Sequence, residues 1–182
     1  MAVSITKQSI TLAFFTLLER KPYKKITVSD VTDEAGVNRM TFYYHFKDID
    51  DLVIKKVEET VLDICKKAKL SGDCSSAYLD AFLTAERNKG LVKKIVPEFD
   101  MRRLISFLSP LARKIAEHSV ELRVGSQISS EMKKTVVHSV GCCMVGTFVE
   151  WLSSDMKDDP RELVKMQTQF FDAALLGISK NA

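Results

Sequence analysis

The sequence predicts an all-α fold: an N-terminal three-helix unit holding a helix-turn-helix, then a larger C-terminal helical bundle, about nine helices in all. Three observations lead there. Seven glycines and four prolines in 182 residues leave few places to break a helix. Apolar residues recur at three- and four-residue spacing along much of the chain. Helix-start residues (Thr, Asn and Asp ahead of an apolar-periodic run) stand where that periodicity begins.

Ile10, Phe14 and Leu17 give a helix-period stripe over residues of about 4–20. Thr27-Val-Ser-Asp30 has the spacing of a capping box, a hydroxyl for one orphan N–H and an acid three residues on. Gly36 suits the left-handed residue that ends that helix, and Asn38 caps the next. Val31 and Ala35 lie four apart on one helix and Phe42 and Phe46 four apart on the following one, with Val37 in the turn between. Three short helices around a small core, with a tight Gly-containing turn, make a helix-turn-helix.

Asp48-Ile-Asp-Asp51 opens a longer helix, its carboxylates at the positive end of the dipole, and the amphipathic pattern runs to about Lys69. LSGDCSS, residues 70–76, reads as a loop. Helices follow over Tyr78 to about Lys89 and over Leu91–Val96, separated by Gly90. Met101–Val120 is helical, with Pro110 marking a kink or a break. After a loop near Arg123–Ser126 the longest and most apolar helix spans about Ile128 to Ser153. Its second half, SVGCCMVGTFVEWL, is apolar nearly all round and should be buried on several sides. Asp159-Pro160, with Glu162 two residues on, starts a last helix that reaches about Ile178.

Composition narrows the function. Apolar residues make up 46% and charged residues 28%, the balance of a globular chain. The N-terminus lacks the marks of a signal peptide, and no uncharged apolar run approaches the roughly 20 residues that span a bilayer, so a cytoplasmic protein with no membrane partner is expected. Cys65, Cys74, Cys142 and Cys143 have neither C-x-x-C spacing nor a paired-His pattern and read as small hydrophobes rather than metal or redox groups. No nucleophile elbow, phosphate-binding Gly loop or metal-ligand spacing occurs; no catalytic residue, metal or cofactor is assigned, and an enzyme is not expected. The net charge is only +3, and the first sixty residues hold nine basic and nine acidic side chains. Nucleic-acid binding must therefore rest on where charges lie rather than on their sum.

GVNRMTFYYHF, residues 36–46, is where they lie to effect. If Phe42 and Phe46 face inward, Arg39, Tyr43 and Tyr44 cannot share their stripe. Two tyrosines shown to water on so short a helix call for a partner. The second helix of a helix-turn-helix enters the DNA major groove, where Arg reads guanine and hydroxyls take phosphates.

The run ITVSDVTDEAGVNRMTFYYHFKDIDDLV, residues 26–53, resembles the DNA-binding signature of the TetR family of transcriptional regulators. WLSSDMKDDPREL resembles the turn before the final helix in members related to dihydroxyacetone-kinase regulators. The resemblance implies a homodimer with a helix-turn-helix domain over residues 1–47 and an effector-binding and dimerisation domain over 48–182. It implies binding to double-stranded operator DNA, released or modulated by a small-molecule effector, and repression more often than activation. A relative of the same fold that acts through a protein partner instead of DNA is the alternative. Base or groove contacts are implied for Asn38, Arg39, Thr41 and Tyr44, and backbone contacts for Thr27, Ser29, Tyr43, His45 and Lys47. The lysine that commonly reaches a phosphate in the family is Ile49 here, with Lys47 close by.

In the larger domain, Phe82, Phe99, Arg103, Phe107, His138 and Cys142 are candidate pocket residues, as aromatics or lone polar groups on apolar stripes; core packing is the competing role. Met144, Phe148 and Trp151, with Phe170, Phe171, Ala174 and Leu175, are candidates for a four-helix dimer interface, or else close the core of one subunit.

Overall fold

The computed structural model describes residues 2–71 and 76–179, and among them the secondary structure is helical throughout. Cys74 and most of the expected loop after residue 70 lie outside the described residues. The helices are α1 (Ala2–Arg20), α2 (Val28–Ala35), α3 (Arg39–His45), α4 (Ile49–Ser71), α5 (Ser76–Arg87), α6 (Lys89–Ile95), α7 (Met101–Val124), α8 (Ser130–Ser153) and α9 (Pro160–Ser179). Short 3₁₀ turns occupy Tyr23–Lys25, Val96–Glu98 and Gly125–Gln127.

Contacts divide the chain into two compact units, Met1–Thr60 with Gly90–Asp100, and Val61–Lys89 with Met101–Ala182. The first has its core in Ile10, Phe14 and Leu18 of α1, Val31 of α2, Phe42 and Phe46 at α3, and Leu52 of α4, all buried. The stripe on α1 thus runs 10, 14, 18, a strict four-residue row, and Leu17 stands beside it half-buried. Tyr23 packs edge-on to Phe14 and against Phe99, while its hydroxyl donates to the Asp50 carboxylate. Glu98 accepts the Lys24 N–H at 2.9 Å, and the Lys94 ammonium donates to the Leu18 carbonyl at 3.2 Å. These bonds bring residues 90–100 into the first unit. Compactness therefore groups α4's first half with α1–α3, where the expected functional boundary fell at residue 48.

In the second unit, α7 and α8 pack along their length. Ala112, Ala116, Val120 and Val124, one row of α7, meet Val136, Val137, Val140, Met144 and Val145 of α8. Small residues let the backbones close in: a Cβ on Gly141 would lie 3.4 Å from Arg113 Cα. Pro110 neither breaks nor ends α7; within the turn it disturbs, the Ser109 hydroxyl donates to the Ile105 carbonyl at 2.7 Å. Phe82 stacks edge-on against Phe148 and also packs on Trp151, both pairs of centroids 4.9 Å apart. α8 is buried along one arc only, where its second half was expected to be buried on several sides. By length and mean hydropathy α8 would also reach across a bilayer, because its small Gly, Ser, Thr and Cys residues weigh little against its valines.

Candidate nucleic-acid interface

The helix-turn-helix is built from local bonds. Thr27 takes the Asp30 N–H on its hydroxyl, and the Asp30 carboxylate takes the Thr27 N–H at 2.7 Å, closing the capping box. Lys21 lies 2.6 Å from the same carboxylate. Its hydrogen bonds to Lys21, then to the Thr27 hydroxyl and N–H, hold the Asp30 carboxyl down at about 2. Gly36 ends α2 with φ +66°, a conformation that costs glycine little, and its turn returns the Val37 N–H to the Thr32 carbonyl. Asn38 then caps α3, its Oδ1 accepting the Thr41 N–H at 2.8 Å.

So placed, α3 turns two faces in opposite directions. Phe42 and Phe46, ring centroids 5.6 Å apart, are buried and anchor it from behind. Met40 is 77% exposed, Tyr44 75% and Tyr43 54%, and Arg39 is exposed with them. Asn38, Lys47 and Thr27 are exposed as well; Thr41, His45 and Ser29 are half-buried. All nine residues expected at the interface thus have accessible surface, on α3, at its two ends and at the start of α2. Met40 was missed. An apolar residue inside a periodic run reads as core, and only its offset of two from Phe42 tells otherwise.

Three of the nine are already engaged. The Thr27 hydroxyl donates to Asp30 Oδ2 at 2.7 Å, and Asn38 Oδ1 accepts from both N–H and hydroxyl of Thr41. These bonds shape the motif and occupy the Thr27 hydroxyl and the Asn38 Oδ1. The pKa of His45 is lowered from its ordinary value, first by burial and further by the positive charges of Lys7 and Lys55. Lys55 donates to the His45 carbonyl at 2.7 Å and pairs with Asp51 at 3.2 Å, tying α4 to the end of α3.

The residues matched by sequence models coincide with this geometry. Residues 10–55 match the model of bacterial regulatory proteins of the tetR family, and residues 72–173 match a transcriptional regulator C-terminal region. The chain belongs to the TetR family. A Bacillus subtilis (strain 168) HTH-type transcriptional regulator, YxbF, is 25% identical over 92% of this chain and 44% of its own length. The chain spans about half the length of the curated relatives it matches, 44% and 58% of the two. Two solved structures superpose over nearly the whole chain. The dihydroxyacetone kinase operon activator DhaS does so with a TM-score of 0.70 at 16% identity, covering 96% of this chain and 98% of that one. A TetR transcriptional regulator from Streptococcus agalactiae 2603V gives 0.58 at 24%, covering 93% and 95%. The TetR family consists of transcription factors, not enzymes.

The second unit of this TetR protein departs from the sequence expectation at several residues. Of the six pocket candidates, His138 and Cys142 lie together on α8, Sγ 3.6 Å from Nε2, and none of the six lines the cavity found in this unit. Phe82 is fully buried among Tyr78, Phe148 and Trp151, and Phe99 belongs to the first unit's core. Arg103 and Phe107 are half-buried on the first turns of α7, and His138 and Cys142 stand on the exposed face of α8. A cavity of about 40 Å³ lies elsewhere, lined by Tyr78, Ile115, Ser119, Val120, Arg123, Val140, Met144, Thr168, Phe171 and Leu175. At its edge Arg123 pairs with Asp172. The Tyr78 hydroxyl donates to Gln167 Oε1 at 2.7 Å and lies 3.0 Å from the Met144 carbonyl; burial pushes this phenol's pKa well up.

Of the seven interface candidates, Met144, Trp151 and Leu175 are buried in the chain's own core. They leave no surface for a second subunit to cover, which corrects their assignment. Phe148 and Phe171 are half-buried, while Phe170 and Ala174 are exposed. Period alone could not separate these sets, because both arcs of α8 and α9 carry apolar residues.

Proposed function

We propose that the chain acts in the cytoplasm as a homodimer on double-stranded operator DNA, α3 of each subunit entering a major groove, and that a small molecule in the second unit releases or modulates it, giving repression. The observation that carries this reading is the orientation of α3, with Arg39, Met40, Tyr43 and Tyr44 outward and the two phenyl rings behind them. In this reading Arg39 is the bidentate reader of guanine, Met40 lies against a thymine methyl, and Tyr44 reaches the groove. Tyr43, Lys47 and Ser29 supply phosphate donors, and His45 donates a ring N–H. Asn38 and Thr41 act first by setting the helix and reach bases only through groups their cap leaves over.

Exposed Met166, Phe170 and Ala174 on α9, with half-buried Phe148 and Phe171 and the exposed arc of α8 around Cys142, are the surface assigned to the second subunit. The cavity beside Tyr78 and Arg123 is assigned to the effector. At about 40 Å³ it takes a water-sized guest as it stands, since benzene fills an apolar cavity of about 150 Å³. An effector there must widen it, and a ligand that binds only the widened state shifts the population toward that state.

The test is anisotropy titration of the protein against DNA from the region upstream of its own gene, at several salt concentrations. Saturable, salt-sensitive binding by a dimer is the expected result. Absence of any salt-sensitive binding would turn the reading toward a relative that works through a protein partner.

A further inference from the structure

On the exposed face of α8, Cys142 Sγ lies 3.6 Å from His138 Nε2, one turn earlier on the helix. Both side chains are exposed. Zinc bonds to thiolate sulfur at about 2.3 Å and to imidazole nitrogen at about 2.0–2.1 Å, so a tetrahedral angle between them sets sulfur and nitrogen about 3.5–3.6 Å apart. The pair therefore stands at the bite distance of two corners of a tetrahedral site. Among the described residues no group of three or more His, Cys, Asp or Glu side chains converges, so one chain offers only these two corners here.

Helical geometry says where the other two can come from. Cys142 sits near the middle of the exposed arc of α8, with Thr135, Ser139 and Gly146 around it. A Cβ added at Gly146 would meet nothing within 4 Å. Small side chains on that arc let another helix approach closely. If α8 packs on its own copy with Cys142 near the two-fold axis, an identical His–Cys pair faces this one. Two nitrogens and two sulfurs in a tetrahedron are a ligand set for zinc.

We propose that His138 and Cys142 form half of a zinc(II) site that a second copy of the chain completes across α8, a proposal that rests on the homodimer reading above. His138 binds through the Nε2 lone pair with its proton on Nδ1. Each Cys142 thiol gives its proton to solvent as the sulfur–metal bond forms, without change of oxidation state.

Cobalt(II) titration of metal-stripped, phosphine-reduced protein tests it. The expected result is a sulfur-to-cobalt charge-transfer band with the intense visible bands of a tetrahedral ion, saturating at one metal per two chains and bleached by zinc. His138→Ala and Cys142→Ser abolish those bands, whereas Cys143→Ser, altering a neighbour a further 100° round the helix, keeps them. Sedimentation in chelator and in zinc separates the metal site from the dimer. A dimer in chelator that takes up no tetrahedral cobalt overturns the zinc site and leaves the dimer standing. A monomer under both conditions overturns both. Bands unchanged by His138→Ala, or a reducible dimer linked through Cys142 that forms without metal, also overturn the site.

Discussion

Asn38 Oδ1 accepts two hydrogen bonds from Thr41, from its backbone N–H at 2.8 Å and from its hydroxyl at 3.0 Å. Asn38, one of the residues proposed to reach DNA, is thus also the one that starts α3. Asn38→Ala should cost about 1 kcal/mol of stability, read from urea unfolding. Asn38→Ser, which keeps a capping oxygen, should recover most of it. If DNA affinity recovers with stability in the serine variant, Asn38 works as a cap; if stability returns and affinity does not, its amide reads a base.

Arg39 has no such structural duty. Arg39→Ala should leave the unfolding midpoint nearly unchanged and cost about 1–3 kcal/mol of binding, with discrimination lost at one base position. A systematic set of operator variants measures this. An equal loss on every sequence would make Arg39 a phosphate contact.

Ile49 stands at the first position of α4, half-buried, where the family commonly has a phosphate-binding lysine. Ile49→Lys should tighten binding and steepen the plot of log affinity against log salt by about one unit. An unchanged slope would place residue 49 away from the duplex.

Tyr78 lies at the centre of the second unit's polar network, for Gln167 also donates to Thr147 at 2.8 Å. Tyr78→Phe keeps the ring against Phe82, 5.1 Å between centroids, and deletes only the hydroxyl. The buried acceptor left behind should cost about 1–3 kcal/mol, seen as a lower denaturant midpoint with an unchanged slope.

Acid should weaken the first unit in two stages. His45 has a folded pKa below its ordinary value, so the unfolded chain takes up the proton first and stability falls as pH drops below about 6.5. Asp30, held at about 2, contributes stability that is complete above the unfolded value near 4 and is lost between about 4 and 2. His45→Gln should remove the first stage and Asp30→Asn the second, in unfolding curves recorded across that range.

What the sequence made legible follows from the range of the forces involved. The caps at Thr27, Asn38 and Asp48 and the bond from Arg161 N–H to Asp159 close over two or three residues, so spacing alone announces them. The outward set on α3 follows from Phe42 and Phe46 by helical arithmetic. The interiors of longer helices do not yield in that way. On α1 the buried row passes through Leu18 rather than its neighbour Leu17, and on α8 Met144 and Trp151 point inward while Cys142, equally apolar by type, points out. Which arc finds a partner depends on helices far along the chain. The His138–Cys142 pair fits a four-residue helical spacing, yet that spacing carries meaning only once both side chains are known to share an open face.

Met40 adds a practical consequence. A thioether held in open water on the proposed recognition surface is a ready target for peroxide, and its sulfoxide is polar and chiral. Aerobic ageing should therefore erode affinity for thymine-bearing sites while the fold stays intact, and methionine sulfoxide reductase should restore it. Met40→Leu should hold its affinity in old and fresh preparations alike.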